Sequence, residues 1–383
     1  MPNLPCYLDN SATTRPFDEV IDAMASAMAG SYYNPSAAYD AGLAVEDALN
    51  RVRGALLSAL HARGRVVFTS GGTEADNLAI LGSVGKRRAQ CVTSAVEHPA
   101  VARAFEELSS CGHNVAVLPV DGRCMVSAEA LAQAVGEDTA LVSVMHVNNE
   151  TGAIQDIAAL CAAAKRRNPG VVFHSDGVQA FLRVPAEPER WGVGLYAVSA
   201  HKLHGPKGVG ALYVGDGVRL NPRMLGGGQE GGTRSGTENV PGILGMGRAL
   251  EFFSENLEAR RAALMELKLQ LAERLLAIGD AVVNGPAPKD AAPHILNVSF
   301  VGVKGEVLLR SLAEQGVYVS TGSACGARQS KPSAALVAMG LGRERVESAI
   351  RFSLSAMTTA RDIECAGDAV AAQVRRLRMF QRR

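Results

Sequence analysis

Short apolar segments rich in β-branched residues alternate along this chain with segments whose apolar residues recur at helical spacing. Such alternation is typical of β-α-β units, in which parallel strands form a sheet and helices cover its faces. Strands are predicted at residues 66–69, 91–93, 115–118, 141–145, 171–174, 196–198 and 211–214. The pattern therefore predicts an α/β fold built on a parallel sheet.

A second unit is predicted after a Gly- and Pro-rich stretch at residues 225–241. From there a helical pattern runs to about residue 278 and links the two units. Further strands are predicted at 295–300, 317–320 and 350–354, with helices at about 305–315 and 333–349 and a C-terminal helix. With 383 residues the chain is long enough for two or three domains. We expect a large domain over residues 15–255 and a small α+β domain made of residues 1–14 and 256–383.

The charge balance gives no reason to expect a nucleic acid or a membrane surface as a partner. The formal net charge is +1, with 47% hydrophobic and 20% charged residues, which is typical of a soluble globular chain. Asp9 and Arg15 interrupt the first residues, and no run of 18 apolar residues exists, so neither a signal peptide nor a membrane span is predicted. We expect a cytoplasmic protein.

The seven cysteines do not form the spacing of a zinc site or a disulfide framework. No metal is therefore expected. Cys91 and Cys161 lie in apolar patterns and are predicted to be small core residues. Cys325 differs, because small residues flank it in Gly322-Ser323-Ala324-Cys325-Gly326, and Arg328 and Lys331 follow. Nearby positive charge favours the thiolate, so we predict that Cys325 is a nucleophile.

A lysine and an aspartate follow two neighbouring strand segments of the predicted sheet. Open α/β sheets bind ligands at the carboxyl ends of their strands. Asp176 follows the strand at 171–174, with Gln179 three residues later, and Lys202 follows the strand at 196–198. Pyridoxal phosphate needs a lysine for covalent attachment and a carboxylate facing its ring nitrogen. The pair therefore predicts a pyridoxal-phosphate site, with Gln179 near the ring hydroxyl.

A phosphate site is predicted where Ser70-Gly71-Gly72-Thr73-Glu74 joins a strand to a helix. Glycines let backbone N–H groups approach an anion, and the start of a helix carries partial positive charge. The segment lacks the spacing of a Walker loop.

Many ordered motifs of the chain resemble the class V aminotransferase fold and, within it, cysteine desulfurases of the NifS/IscS type. The resemblance spans nearly the whole chain and rests on Tyr7 to Thr14, Asn34-Pro35-Ser36, Gly71 to Glu74, Glu97-His98, Asn148 to Gly152, Asp176 with Gln179, Ser199 to Gly208, Gly226 to Glu230, Arg234 to Thr237, Gly322 to Cys325 and Arg351-Phe352-Ser353. It implies fold type I of the pyridoxal-phosphate enzymes, with a large, mostly parallel-sheet domain, a smaller α+β domain and a homodimer.

The resemblance implies that Lys202 binds the cofactor covalently and moves protons. His98 is expected to stack on the pyridine ring, Asp176 to pair with its nitrogen and Gln179 to meet its oxygen. Residues expected to hold the phosphate are Gly72, Thr73, Ser199 and His201, with Thr237 from the neighbouring subunit.

The substrate implied by the resemblance is L-cysteine. Arg351 is expected to hold its carboxylate, for which a guanidinium fork is well suited, with Asn149 and Asn34 nearby. The products would be L-alanine and a persulfide on Cys325. An iron–sulfur scaffold or a tRNA-thiolation enzyme would then accept the sulfur. Relatives often carry a histidine where Tyr39 stands, and they have a less basic segment after the cysteine.

Two other functions remain open at the level of sequence. A selenocysteine lyase or another pyridoxal-phosphate lyase shares the fold, because a fold does not determine a reaction. Such a lyase needs no thiol at Cys325. A non-catalytic sulfur carrier or scaffold is the third hypothesis, and the presence of both Lys202 and Asp176 argues against it.

Overall fold

Strands and helices alternate through most of the structure, a computed structural model that describes residues 5–321 and 332–381. The strands are β1 (Cys6–Tyr7), β2 (Arg65–Thr69), β3 (Gln90–Ser94), β4 (Asn114–Leu118), β5 (Thr139–Ser143), β6 (Val172–Asp176), β7 (Leu195–Ser199), β8 (Gly210–Val214), β9 (Ala281–Val283), β10 (Ile295–Phe300), β11 (Val317–Tyr318) and β12 (Ala349–Ser353). The α-helices are α1 (Asp18–Gly30), α2 (Asp40–Ala59), α3 (Gly72–Ser83), α4 (Pro99–Ser110), α5 (Ala128–Ala134), α6 (Ile157–Arg167), α7 (Pro188–Trp191), α8 (Val240–Ser254), α9 (Leu257–Leu276), α10 (Gly305–Ala313), α11 (Ala334–Ala338), α12 (Arg343–Glu347) and α13 (Ala360–Gln381). The predicted α/β fold is confirmed.

The main sheet has the strand order β2-β8-β7-β6-β5-β3-β4. The pairs β3–β4, β3–β5, β5–β6 and β6–β7 are all parallel, as predicted. The expectation of a parallel sheet is wrong for β8, which pairs antiparallel with both β7 and β2. Residues 200–209 join β7 to β8, and a connection that short cannot hold the crossover helix that a parallel neighbour requires.

The neighbouring strands β6 and β7 determine where a site can form. They pair in parallel, with Asp176 opposite Ala197, and every residue of β7 is buried. Their carboxyl ends therefore meet at one edge of the sheet, where open α/β sheets bind ligands. Asp176 is the last residue of β6, and Ser199 is the last residue of β7.

A second apolar core lies around the smaller sheets. Strand β10 pairs antiparallel with β9 and β12, and β1 pairs in parallel with β11. Leu8, just after β1, packs in the same core as Phe300 and Phe352 and is fully buried. The first described residues therefore pack with elements close to the other end of the chain.

Two helices that the sequence predicts as continuous are interrupted. The pattern that runs to about residue 278 forms α8 and α9, separated at Asn256, which has a positive φ of 59°. The helix predicted at 333–349 forms α11 and α12, with Gly340 between them at a φ of 75°. A residue in the left-handed region cannot continue a right-handed helix. Within residues 5–321 and 332–381, no helix is both long enough and apolar enough to cross a bilayer.

Candidate active site

A cavity of about 440 Å³ opens at the carboxyl ends of β6 and β7. Most of the site residues predicted from the sequence line it: Gly72, Thr73, His98, Asn149, Asp176, Gln179, Ser199, His201 and Lys202. Asn34, Thr237 and Arg351 do not belong to this lining. Cys325 lies outside the described residues. The cavity thus brings together residues that end or follow five strands of the main sheet, β2, β3, β5, β6 and β7.

Lys202 lies in a short 3₁₀ turn (Ala200–Lys202) that directly follows β7. Its amine donates hydrogen bonds to the carbonyl oxygens of Ser11, at 2.5 Å, and Ala12, at 2.8 Å. The same N-terminal segment contacts the turn again, because the Thr14 N–H donates to the His201 carbonyl at 2.9 Å. Residues 11–14 therefore hold the lysine amine at the cavity wall.

Asp176 and His98 are buried near each other, and burial shifts their pKa values in opposite directions. Burial raises the pKa of Asp176, while nearby His98, the Val178 N–H and Lys202 oppose that rise. Burial lowers the pKa of His98, and Lys202 and Arg351 lower it further, whereas Asp176 opposes the fall. His98 caps the N-terminus of α4, where its Nδ1 accepts from the Ala100 N–H at 3.1 Å. A buried carboxylate is stabilised by a cationic partner, so Asp176 suits a protonated ring nitrogen.

The glycine turn at the start of α3 packs closely against the segment after β6 and the first residue of β8. A Cβ atom on Gly72 would come within 2.7 Å of Val178, and one on Gly210 within 2.6 Å of the Gly71 backbone. The buried Ser199 hydroxyl, which faces this turn, has no hydrogen-bond partner among the described residues. A helix N-terminus with a free hydroxyl beside it fits a phosphate group. The residues therefore fit both ends of pyridoxal phosphate: Asp176 suits the ring nitrogen, and the start of α3 with Ser199 suits the phosphate.

His201, also predicted to hold the phosphate, is neutral near pH 7. Burial lowers its pKa to about 4, and Lys202 and Lys207 lower it further. Its Nδ1 lies 3.1 Å from the Thr13 hydroxyl. A neutral imidazole can donate a hydrogen bond from only one nitrogen. If Nδ1 accepts from the Thr13 hydroxyl, Nε2 carries the proton and can donate to an anion.

Arg351 lies in the middle of β12 and is 4% exposed. Its guanidinium donates to the Asn149 carbonyl at 2.9 Å and to the Asp9 carboxylate at 2.8 Å. Its Nε atom is buried and lacks a partner within the described part of the chain. Arg351 thus contacts Asn149, a residue of the cavity wall, and its Nε–H remains available as a donor.

Asn34 and Thr237 lie on exposed loops away from the cavity. The Asn34 side chain accepts from the Ser36 N–H at 2.9 Å. Both loops border a surface cavity of about 630 Å³, whose lining includes Pro35, Ser36, Gly228 and Glu238. The structure therefore separates these two predicted residues from the others and places their loops around one groove.

Asp76 lines the cavity although the sequence argument did not single it out. Burial raises its pKa well above the usual value, and the carboxyls of Asp176 and Glu97 raise it further. Its Oδ1 lies 3.4 Å from Nε2 of the buried His174. The available signal was spacing, because Asp76 follows Thr73 by three residues and so shares its helix face.

Comparison with known proteins agrees with this geometry. The family model described as Aminotransferase class-V matches residues 6–365. A protein named Cysteine desulfurase IscS, from Methanosarcina thermophila, is 40% identical over 380 residues, which cover 98% of this chain and 93% of that protein. A Cysteine desulfurase from Bradyrhizobium diazoefficiens is 39% identical over 384 residues, covering 99% and 96%. A solved structure described as a NifS-like protein superposes with a TM-score of 0.90 at 34% identity, covering 97% of this chain and 100% of that one.

Proposed function

Since the chain belongs to the aminotransferase class-V family, we propose that it is a pyridoxal-phosphate-dependent cysteine desulfurase. It would convert L-cysteine to L-alanine and leave the sulfur as a persulfide on Cys325. The observation that carries this proposal is the cavity in which buried Asp176, Lys202 and the Ser199 hydroxyl meet, the hydroxyl having no hydrogen-bond partner among the described residues. The family resemblance and the fold class expected from the sequence are both confirmed.

Pyridoxal phosphate, when bound, supplies an electron sink for negative charge that develops on the substrate carbon. Lys202, with its amine at the cavity wall, would bind the cofactor covalently. Asp176 would hold a proton on the ring nitrogen, and His98 would cover the ring. Gly72, Thr73, Ser199 and His201 would hold the phosphate, and Gln179 would donate to the ring oxygen.

The chemical step needs a proton carrier and a sulfur nucleophile. Lys202 would take the proton from the α-carbon of the bound cysteine. The Cys325 thiolate would attack the substrate sulfur, forming an S–S bond while the C–S bond breaks. The electron pair of that bond would stay with carbon, which takes up a proton to give alanine.

Arg351 and Asn149 would hold the substrate carboxylate, and Asn34 would reach the substrate from the exposed loop of a second copy. Support comes from the Nε of Arg351, which has no partner within the described part of the chain, and from the 2.9 Å hydrogen bond of Nη1 to the Asn149 carbonyl. Substrate binding would then draw on the small sheet as well as the large one, because Arg351 belongs to β12.

A homodimer would complete this site. Thr237 is exposed and outside the cavity of its own chain, and we propose that it contacts the phosphate of a second copy. The groove of about 630 Å³ between the loops of Asn34 and Thr237 would receive that copy.

The domain boundaries and the setting are also proposals. Residues 15–255 would form the large domain, and residues 1–14 with 256–383 the small one. Support comes from two separate apolar cores, one around the main sheet and one around the smaller sheets. We propose a cytoplasmic enzyme whose sulfur passes to an iron–sulfur scaffold or to a tRNA-thiolation enzyme.

Incubation of purified, cofactor-loaded protein with L-cysteine and a reductant tests the proposed reaction. Alanine and sulfide should form in equal amounts, and Cys325→Ser should stop both. A selenocysteine lyase would be identified instead if neither wild type nor Cys325→Ser acted on L-cysteine and both acted equally on L-selenocysteine. A protein that binds pyridoxal phosphate but releases neither product from L-cysteine would contradict the proposal.

A further inference from the structure

Arg183 is a buried cation that makes none of the predicted cofactor contacts and does not line the active-site cavity. It is 4% exposed, and within residues 5–321 and 332–381 no carboxylate forms an ion pair with it. Burial lowers the pKa of its guanidinium to about 9. Because burying a charge without a counter-ion is costly, the hydrogen bonds that hold this side chain are its main compensation.

The Arg183 side chain donates hydrogen bonds to two groups in the described part of the chain, and both belong to predicted cofactor residues. One guanidinium nitrogen, Nη2, donates to the backbone carbonyl of Lys202. The other, Nη1, donates to the side-chain oxygen of Gln179 at 3.4 Å. The guanidinium is planar and rigid, so two contacts from one plane fix the position of the lysine turn relative to the Gln179 amide.

The contact also determines which way the Gln179 amide points. Arginine can only donate, so the amide oxygen must face Arg183, and Nε2 of His294 lies 3.2 Å from the same oxygen. The amide nitrogen then donates to the Ser11 carbonyl at 3.0 Å. That carbonyl also accepts from the Lys202 amine. Arg183, Gln179, Ser11 and Lys202 thus form one closed chain of contacts.

We propose that Arg183 is a positioning residue that holds the Lys202 turn and the Gln179 amide in the arrangement that receives the cofactor. It acts through these two residues and has no place in the lining of the active-site cavity. It lines a different cavity, of about 200 Å³, together with Arg261 and Leu264. The proposal rests on the proposed function, since it assigns Lys202 and Gln179 to the cofactor.

Arg261 offers a matched control. Like Arg183, it lines the cavity of about 200 Å³ and donates to backbone carbonyls, here those of Leu182, at 3.3 Å, and Val184, at 2.9 Å. Among the described residues, its side-chain hydrogen bonds reach neither the Lys202 turn nor Gln179. Arg261→Met therefore removes a guanidinium from the same region without removing any of the hydrogen bonds that join Arg183, Gln179, Ser11 and Lys202.

The experiment compares Arg183→Met, Arg183→Lys and Arg261→Met with wild type. Cofactor-free protein is first examined by amide hydrogen exchange at residues 203–205, whose N–H groups are bonded within the lysine turn or to Thr14. Arg183→Met should exchange these amides at least tenfold faster and should bind pyridoxal phosphate at least tenfold more weakly, and kcat should fall more than KM rises. Arg183→Lys should recover part of each effect, and Arg261→Met should show none.

The proposal is overturned if folded Arg183→Met behaves like Arg261→Met in exchange and cofactor affinity. If Arg183→Met does not fold, Arg183→Lys decides, and wild-type exchange and affinity in that variant would overturn the proposal. Exchange is measured without cofactor or substrate. A failure of the proposed desulfurase reaction would therefore appear only in product release, and the two failures remain distinguishable.

Discussion

Lys202 and Thr237 were both predicted to contact the cofactor, yet the structure gives them different surroundings. Lys202 belongs to what we call the inner wall, the ends of β6 and β7 with the start of α3. There Asp176 and Ser199 are buried, and the lysine amine has two carbonyl partners within 2.8 Å. The predicted cofactor contacts of the inner wall line a single cavity and come from the same chain as Lys202.

Thr237 belongs to the outer rim, which we define as residues 34–38 and 225–237. The rim is fixed at its base, because Glu230 pairs with Arg53 at 2.7 Å and Arg234 pairs with Glu74 at 2.8 Å. Leu225, however, is 81% exposed, and Asn34 and Thr237 are exposed as well. A loop held firmly at its base while its outer residues stay exposed is suited to contact another molecule.

The difference separates two requirements of the proposed enzyme. The inner wall would supply the chemistry, and its residues should matter in each chain separately. The outer rim would complete the site of a second copy, so its residues should matter across the dimer. Substitutions in the two regions therefore test the comparison.

Lys202→Ala should have the largest effect of any inner-wall substitution. Without its amine the protein has neither the covalent anchor nor the proton carrier, and proton transfer alone is worth about 10²- to 10⁴-fold in rate. We expect turnover of L-cysteine to fall at least about a thousandfold, while far-UV circular dichroism stays unchanged. Alanine release is the measurement.

Lys207→Ala is the matched control for Lys202→Ala. Lys207 also lines the cavity but is exposed and follows the turn by five residues. Its loss removes one positive charge and should leave turnover within about tenfold of wild type, as a partly screened surface charge would. If Lys202→Ala stayed active and Lys207→Ala lost activity, Lys207 would be the cofactor lysine.

Cys325→Ser should stop product release but leave the inner wall intact. The serine hydroxyl is a poor nucleophile toward sulfur, whereas cofactor binding depends on Lys202 and Asp176. The variant should keep its bound cofactor and still change its absorbance when L-cysteine is added. Mass spectrometry of wild type after one turnover without reductant should find about 32 Da, one sulfur atom, on the peptide that contains Cys325.

Cys91 and Cys161 serve as controls for that thiol. Both are fully buried, and burial raises the pKa of each to about 11, so neither forms a thiolate near pH 7. Cys91→Ser and Cys161→Ser should cost stability by placing a hydroxyl in a core but should keep turnover. An added sulfur on another cysteine, in an active Cys325→Ser protein, would refute the role of Cys325.

The inner wall was largely readable from the sequence because its pattern is local. A strand ends in an aspartate, the next strand ends shortly before a lysine, and a Gly-Gly turn starts a helix, so residue order alone places these groups at one sheet edge. The break at Asn256 was missed, since its left-handed conformation leaves no mark in the apolar spacing.

Contacts between distant segments could not be read in this way. Arg351 meets Asp9 across 342 positions, and Gln179 meets Ser11 across 168. Spacing along one helix face predicts nearby pairs, but it does not predict which loops a fold brings together. The direction of β8 was missed for a related reason, because apolar strand patterns do not carry strand direction.

Arg351→Lys should have a smaller effect than the loss of Lys202 or Cys325. One ammonium cannot reproduce a two-point carboxylate contact, and we expect KM for L-cysteine to rise by about tenfold or more with a smaller change in kcat. Arg345→Lys is the control, since Arg345 donates to the Val283 carbonyl and to Asn284, away from the cavity. An unchanged KM in Arg351→Lys would place the carboxylate site elsewhere.

Thr237→Val should have the smallest effect, since it removes one hydroxyl from a site with several other donors. A hydrogen bond to a charged group is worth about 1.5–3 kcal/mol. Because several other donors remain, we expect the lower end of this range, which raises the dissociation constant for pyridoxal phosphate roughly tenfold. The protein should sediment as a dimer in wild type and variant alike. An active, cofactor-loaded monomer would remove the basis for any contact across subunits.

Mixed dimers decide whether Thr237 acts on its own chain or on its partner. One copy carries Lys202→Ala and the other Thr237→Val, so only one site per mixed dimer keeps Lys202. If Thr237 reaches across, that site receives the intact threonine of the Lys202→Ala copy and should bind pyridoxal phosphate as tightly as wild type. If Thr237 acts within its own chain, the same site carries valine and should show the weaker binding of the Thr237→Val homodimer. Affinity tags of two kinds allow the mixed dimer to be isolated, and a cofactor titration followed by absorbance then measures the constant. Weak binding in the mixed dimer would show that the outer rim serves its own chain, and the contrast with the inner wall would no longer hold.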